Sequence, residues 1–255
     1  ASISGLLSDA SGRWSWQTEI YGHCFTAKRG TQGALATFGT ALNDQHLSVI
    51  GFNDSPSPSY VWAAALAGAA APSLRADPAV PLQTLAIAGV LAPPVQSRFL
   101  PSQRNTLLYD GISTFRTDPA GAVLIENLIT TYQVNAQGQA DNAYLEVETM
   151  FTLMTVLRIF AGLFTSKFAR VKLGADGVRY PPGSNVVTPS TIKAELIALY
   201  RSLEDAGLVQ NSDAFAAAVT VTKNAQNAGR VDVLLPVTLI GQLRTVATLF
   251  QFKLS

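Results

Sequence analysis

The chain has 255 residues and a mass of 27.0 kDa, long enough for one large domain or two ordinary ones. Apolar residues make up 48% and charged residues only 14%, about half the quarter found in typical soluble domains; this excludes disorder. A mean hydropathy of +0.23 points to surface covered by other chains, and 18 Lys+Arg against 17 Asp+Glu removes any bulk electrostatic case for a nucleic-acid or anionic-membrane partner.

In chain order, residues 20–27 alternate in a short, mostly apolar run and predict a buried strand. Residues 32–42 are helical in composition, and residues 46–52 form a second strand. A Pro/Ser loop at 53–59 leads into an alanine-rich helix over about 60–71, and residues 85–90 follow as a third strand. Strand, helix, strand, helix, strand is the order of a parallel α/β layer, here with one edge missing at the N-terminal side. Pro93, Pro94 and Pro101 mark residues 91–103 as a hinge.

Beyond that hinge the texture becomes α+β. Residues 113–117 and 122–132 predict a hairpin across Asp118-Pro119-Ala120-Gly121, with proline at the second turn position. Residues 141–168 read as one long helix, acidic at its start (Asp141, Glu146, Glu148) and basic at its end (Lys167, Arg170, Lys172), as the helix dipole favours. Thr188-Pro189 opens a further helix that stops at Gly207, with Ile192, Leu196, Leu199 and Leu203 as its apolar stripe. Val219 and Val221, then Val231, Val233 and Leu235, are β-like. A final β-rich run over 243–254 is a candidate for pairing with another chain.

Neither apolar run reads as a membrane span: residues 61–71 are short and mostly alanine, and 150–164 contain Arg158. No basic stretch precedes an apolar one at the start, so no signal peptide is expected. The chain opens on Ala1, which fits either initiator removal or a chain that begins partway into a longer protein. The single cysteine, Cys24, leaves the compartment open.

Chemistry finds little to stand on. One cysteine and two histidines give no zinc spacing, and no metal or cofactor is expected. His23 and Cys24 are neighbours on a strand, point to opposite faces and do not form a thiol dyad. No Gly-x-Ser-x-Gly elbow is present, and His46 beside Asp44 reads as a strand-edge pair. Gly30, Gly33 and Gly39 fit neither the phosphate-loop nor the dinucleotide pattern. Glu146 and Glu148 diverge on a helix and need a distant partner to act together. The cluster Lys167, Arg170, Lys172 is either a solvated helix terminus or a docking point for an acidic protein surface. An α/β hydrolase built on His23 or His46 is the rival reading from another class.

Three strings carry a resemblance: Arg104-Asn105-Thr106-Leu107-Leu108-Tyr109-Asp110-Gly111-Ile112-Ser113-Thr114-Phe115, Ala143-Tyr144-Leu145-Glu146-Val147-Glu148-Thr149-Met150-Phe151-Thr152-Leu153, and Arg230-Val231-Asp232-Val233-Leu234-Leu235-Pro236. Together they resemble the C-terminal half of the tail sheath proteins of contractile-tailed bacteriophages, the Mu-like group above all. The resemblance implies an incomplete subtilisin-like sheath α/β layer over residues 1–103, without a working triad, followed by an α+β sheath C-terminal domain over 104–255. It implies a structural protein of the virion tail, assembled in the bacterial host cytoplasm, that polymerises in six-fold helical rings around a tail tube and contracts. Its partners would be copies of itself, the tube protein, the baseplate and the tail terminator. A sheath component of a related contractile injection or type VI secretion system is the neighbouring alternative. By the same resemblance Leu249, Phe250, Gln251, Phe252, Lys253 and Leu254 occupy the place of an arm that joins strands of neighbouring subunits, and Lys167, Arg170 and Lys172 could face the tube. Family members are longer, so the chain reads as a C-terminal fragment that would not propagate a full lattice alone.

Overall fold

The computed structural model describes residues 2–251 of the chain. Of these, residues 2–150 with 241–251 form one compact unit and residues 151–240 another.

The first unit begins with a short helix, α1 (Ile3–Leu7), capped by the Ser2 hydroxyl. The strand expected from residue 20 begins only at Cys24: β1 spans Cys24–Arg29. The residues before it turn instead. Tyr21 has φ 58°, its carbonyl accepts from Arg13 Nε at 2.6 Å, and the Gly22 carbonyl accepts from Trp14 Nε1 at 2.7 Å. Helix α2 (Gln32–Thr40) starts on the Thr31 cap, and β2 (Leu47–Phe52) pairs parallel with β1. Gly39 is required where it stands, since a Cβ there would lie 2.0 Å from the Asp110 carbonyl oxygen.

Helix α3 spans Ser59–Ala76 and runs past the expected end at residue 71, through Pro72. The proline removes one backbone hydrogen bond. The buried series Trp62, Leu66, Ala70 and Leu74 continues at four-residue spacing across it, so burial of Leu74 offsets the loss. Residues 85–90 do not form a regular strand. They meet the later hairpin through one antiparallel bridge, Ala86 to Leu124, flanked by Ile125 N–H to the Leu85 carbonyl (2.9 Å) and Ile87 N–H to the Val123 carbonyl (2.8 Å).

A single 3-10 turn (Val95–Ser97) precedes α4 (Pro101–Tyr109), which starts within the proline-rich segment. The boundary expected at 103/104 falls inside this unit. Ser113 donates its N–H to the Val49 carbonyl and accepts from Gly51 N–H, bridging β2 in parallel and tying the adjoining hairpin to the first layer. The hairpin is as expected: β3 (Thr114–Thr117) and β4 (Val123–Asn127) pair antiparallel around Gly121 at φ 90°.

The long helix α5 spans Val147–Lys167 rather than starting at residue 141. Tertiary pairing takes residues 141–146 away from it. Asp141 accepts from the Tyr132 hydroxyl at 2.6 Å, Thr130 N–H donates to the Leu145 carbonyl, and Glu146 bridges Ile129. By length and composition α5 is apolar enough to cross a membrane. In this fold its Val156, Phe160 and Leu163 lie in a core cluster, and Arg158 interrupts it.

That cluster belongs to the second unit. Short parallel strands β5 (Lys172–Leu173) and β6 (Val186–Val187) lead to α6 (Pro189–Asp205). Thr188 caps this helix, and Gly207 ends it at φ 72° while Leu208 N–H reaches back to the Leu203 carbonyl, a Schellman stop. Helix α7 (Ser212–Ala218), too short to show a period in the sequence, places Phe215 on the Tyr200 ring at 3.8 Å. Strands β7 (Thr220–Lys223) and β8 (Val231–Leu234) form an antiparallel pair. The expected final strand is not formed over its described part, 243–251; residues 252–254 lie outside the described residues.

Candidate functional site

The histidines sit in the interior of the first unit. His23 Nε2 lies 2.8 Å from Ser48 Oγ, and its pKa is pulled down to about 3, mainly by burial, then by His46, with Asp44 opposing. His46 is 3% exposed, stacks on the Trp14 ring at 4.6 Å and places Nε2 3.2 Å from Asp9 Oδ1; burial lowers its pKa against the pull of Asp9 and Asp44. His46 also takes Asp44 Oδ1 on its backbone N–H at 2.8 Å, which is the local pair the sequence suggested. A serine beside a histidine has the form of a nucleophile and its base, but Ser48 is fully buried and offers no approach to a substrate. Burial also pushes the Cys24 thiol up, away from the reactive thiolate. These groups pack and hydrogen-bond the α/β layer together. Among the described residues no three His, Cys, Asp or Glu side chains gather as metal ligands.

The basic cluster is only partly available. Lys167 Nζ pairs with Glu195 Oε2, whereas Arg170 and Lys172 are exposed and the Lys172 backbone is committed to β5.

Two surfaces leave apolar side chains or strand edges uncovered. Among the described residues β7 and β8 pair only with each other, and beside β8 lies an apolar cavity of about 230 Å³ lined by Phe164, Phe168, Leu173, Val187, Val231 and Val233. In the first unit, the C-terminal segment leaves Leu249 and Phe250 84% and 88% exposed, with Gln251 also in solvent.

That segment is held by residues that sequence reading did not bring together. Arg244 Nη2 donates to Glu146 Oε2 at 2.6 Å and to Glu148 Oε2 at 2.7 Å. Glu146 sits on the extended residues before α5 and Glu148 in its first turn, so the two carboxylates converge instead of diverging along one helix. Glu148 is fully buried and also accepts from Leu82 N–H at 2.7 Å. Burial raises the Glu146 pKa, Arg244 pulls it down and Glu148 pushes it up. The signal for Arg244 was its isolation: it is the one charged residue between positions 233 and 252.

Residues 1–131 match the model of the phage tail sheath protein central domain, and residues 139–253 that of the phage tail sheath C-terminal domain. The chain therefore belongs to the phage tail sheath protein family, a structural family. It is 40% identical over 253 residues to the Mu-like prophage FluMu tail sheath protein of Haemophilus influenzae, covering 99% of this chain and 52% of that relative, so it spans about half the relative's length. The fold is also that of a sheath tail protein of Desulfitobacterium hafniense (TM-score 0.54, 14% identity, 83% of this chain and 44% of that one). A chain of the anti-feeding prophage baseplate shares it as well (TM-score 0.53, 14% identity, 94% and 63%).

Proposed function

We propose that the chain serves as part of a contractile tail sheath subunit of a Mu-like phage or prophage. Copies polymerise in six-fold helical rings around a tail tube and contract to drive it through a host envelope. The observation that carries this reading is the succession of central and C-terminal sheath domains along one chain. The mechanism is mechanical: a metastable lattice releases energy as subunits repack, with chain termini keeping neighbours connected. Residues 249–254 act as the connecting arm, and a strand added beside β8 would bury the apolar cavity there. The α/β layer is the closing part of a subtilisin-like sheath domain without its catalytic machinery. Arg170 and Lys172 offer exposed charge to the tube, and the baseplate and tail terminator bound the lattice at its ends. The subunits would assemble in the host cytoplasm and end in the virion tail.

Antibodies to this chain are expected to decorate the tail shaft of the particles in electron micrographs. Label on the capsid alone would overturn the reading. Phe250→Asp in the full-length subunit is expected to abolish sheath tubes while both units stay folded by circular dichroism.

A further inference from the structure

The C-terminal segment lies on its first unit with its polarity inverted. Gln242 and Arg244 turn inward, half-buried, while Leu243 and Val246 are 70% and 73% exposed, followed by exposed Leu249 and Phe250. An apolar strand held by its own core would do the reverse. What holds this one is polar. Arg244 reaches two carboxylates, Thr149 Oγ1 donates to Gln242 Oε1 at 3.4 Å, and Gln83 Nε2 donates to the Leu243 carbonyl at 3.4 Å. Of these contacts, those to Gln242 and Leu243 are long and weak. The Arg244 ion pairs are short, largely shielded from water and charge-assisted.

The grip is also incomplete. Both carboxylates converge on Nη2, while Arg244 Nε and Nη1 are buried without a hydrogen-bond partner among the described residues. A guanidinium held at one nitrogen forgoes the bidentate geometry that makes such pairs strongest. The two carboxylates also outnumber the one cation, and burial and Glu148 both favour a proton on Glu146. Glu148 is the member that cannot be left alone, being wholly out of water.

We propose that Arg244 is the buckle of the C-terminal arm: seated between Glu146 and Glu148, it fixes the arm to its own subunit at residue 244, so that only the residues beyond it are given to a second copy. This rests on the arm reading of residues 249–254. The buckle sets the point of departure, and the outward apolar side chains beyond it, Val246, Leu249 and Phe250, are left for the partner's surface.

Arg244 is itself a trypsin site, which allows a test on the unassembled chain, read by intact mass. A seated Arg244 cannot enter the protease, so cleavage after it is expected to be slow compared with cleavage after exposed Arg179. Glu148→Gln is expected to speed cleavage after Arg244 by roughly tenfold while cleavage after Arg104, in α4 of the same unit, stays unchanged. Glu146→Gln, which keeps an acceptor oxygen and removes the surplus charge, is expected to leave Arg244 protected. Should Glu148→Gln not fold, Glu148→Asp, which keeps the charge and shortens its reach, is expected to give the same selective rise at smaller amplitude. Arg244 cut as fast as Arg179 in the unaltered chain overturns the buckle, and so does a rise at Arg104 equal to that at Arg244. Either result leaves the arm reading standing. Failure of the arm reading shows separately, as normal tubes from Phe250→Asp with Arg244 still protected.

Discussion

In the first unit Ser48, Ser113, Thr130, Thr131 and His46 lie in the interior with Val49, Ile50 and Trp62. In the second, the cluster around Leu196 and Phe215 is apolar apart from the Tyr200 hydroxyl, and Thr152 is a further buried polar side chain of the unit. The first arrangement follows from an α/β layer whose strands are joined by buried loops and isolated bridges. Ser113 Oγ, for example, donates to the Ile129 carbonyl at 2.9 Å and accepts from Ile129 N–H at 3.0 Å, replacing regular strand pairing. Such a core is specific because a buried polar group is costly wherever its hydrogen bonds are not made. The second core rests on helix amphipathicity and an aromatic stack, which tolerate more variation in what surrounds them.

Three measurements would break or sharpen this contrast. Trp62 is fully buried and stacks on Phe52 at 4.7 Å, so Trp62→Ala is expected to destabilise the first unit by about 3–5 kcal/mol. Trp14, Trp16 and Trp62 all lie in that unit, and the remaining tryptophan fluorescence in a urea titration reports on it alone. A shift below about 1 kcal/mol would mean that its polar network, not its apolar packing, carries the stability.

Tyr200→Phe comes next. The hydroxyl donates to the Gln210 carbonyl at 2.8 Å and accepts from Thr238 N–H at 3.1 Å, so its removal strands two backbone groups at a cost of about 1–3 kcal/mol. Circular dichroism should register the loss while tryptophan fluorescence holds its midpoint. Movement of both together would show that the two units unfold as one.

The third measurement is the acid response of the first unit. His23 is neutral when folded, with its pKa near 3, whereas in the unfolded chain it takes a proton near 6.5. The unfolded state then binds more protons below 6.5, so stability is complete above that pH and falls as pH drops towards 3. The slope is at most about 1.4 kcal/mol per pH unit. His46, also lowered, acts in the same direction, with Asp9 and Asp44 opposing. His23→Gln is expected to flatten urea midpoints measured between pH 6 and 4; an unchanged slope would assign the acid response to other groups.

The two units also differ in how far they could be read in advance. The second was largely legible: the Thr188-Pro189 start, the Gly207 stop and the stripe of α6 are local signals, and the structure keeps all three. In the first, α2, β2 and the β3–β4 hairpin were legible for the same reason. Residues 20–23, 85–90 and 141–146 were not, because each is shaped by hydrogen bonds from outside its own run that override the local pattern. The terminal run 243–251 has strand composition and no strand partner among the described residues. Its propensity expresses itself only where another strand supplies hydrogen bonds.

By itself the sequence determined the class of the protein, because its strings are specific enough to place it among tail sheath proteins. Tertiary structure alone decided how the C-terminal segment is held. Arg244 lies 98 and 96 residues from Glu146 and Glu148, and no periodicity spans such a distance. An ion pair depends on where folded backbones bring charges together, and burial then decides how strongly those charges are felt.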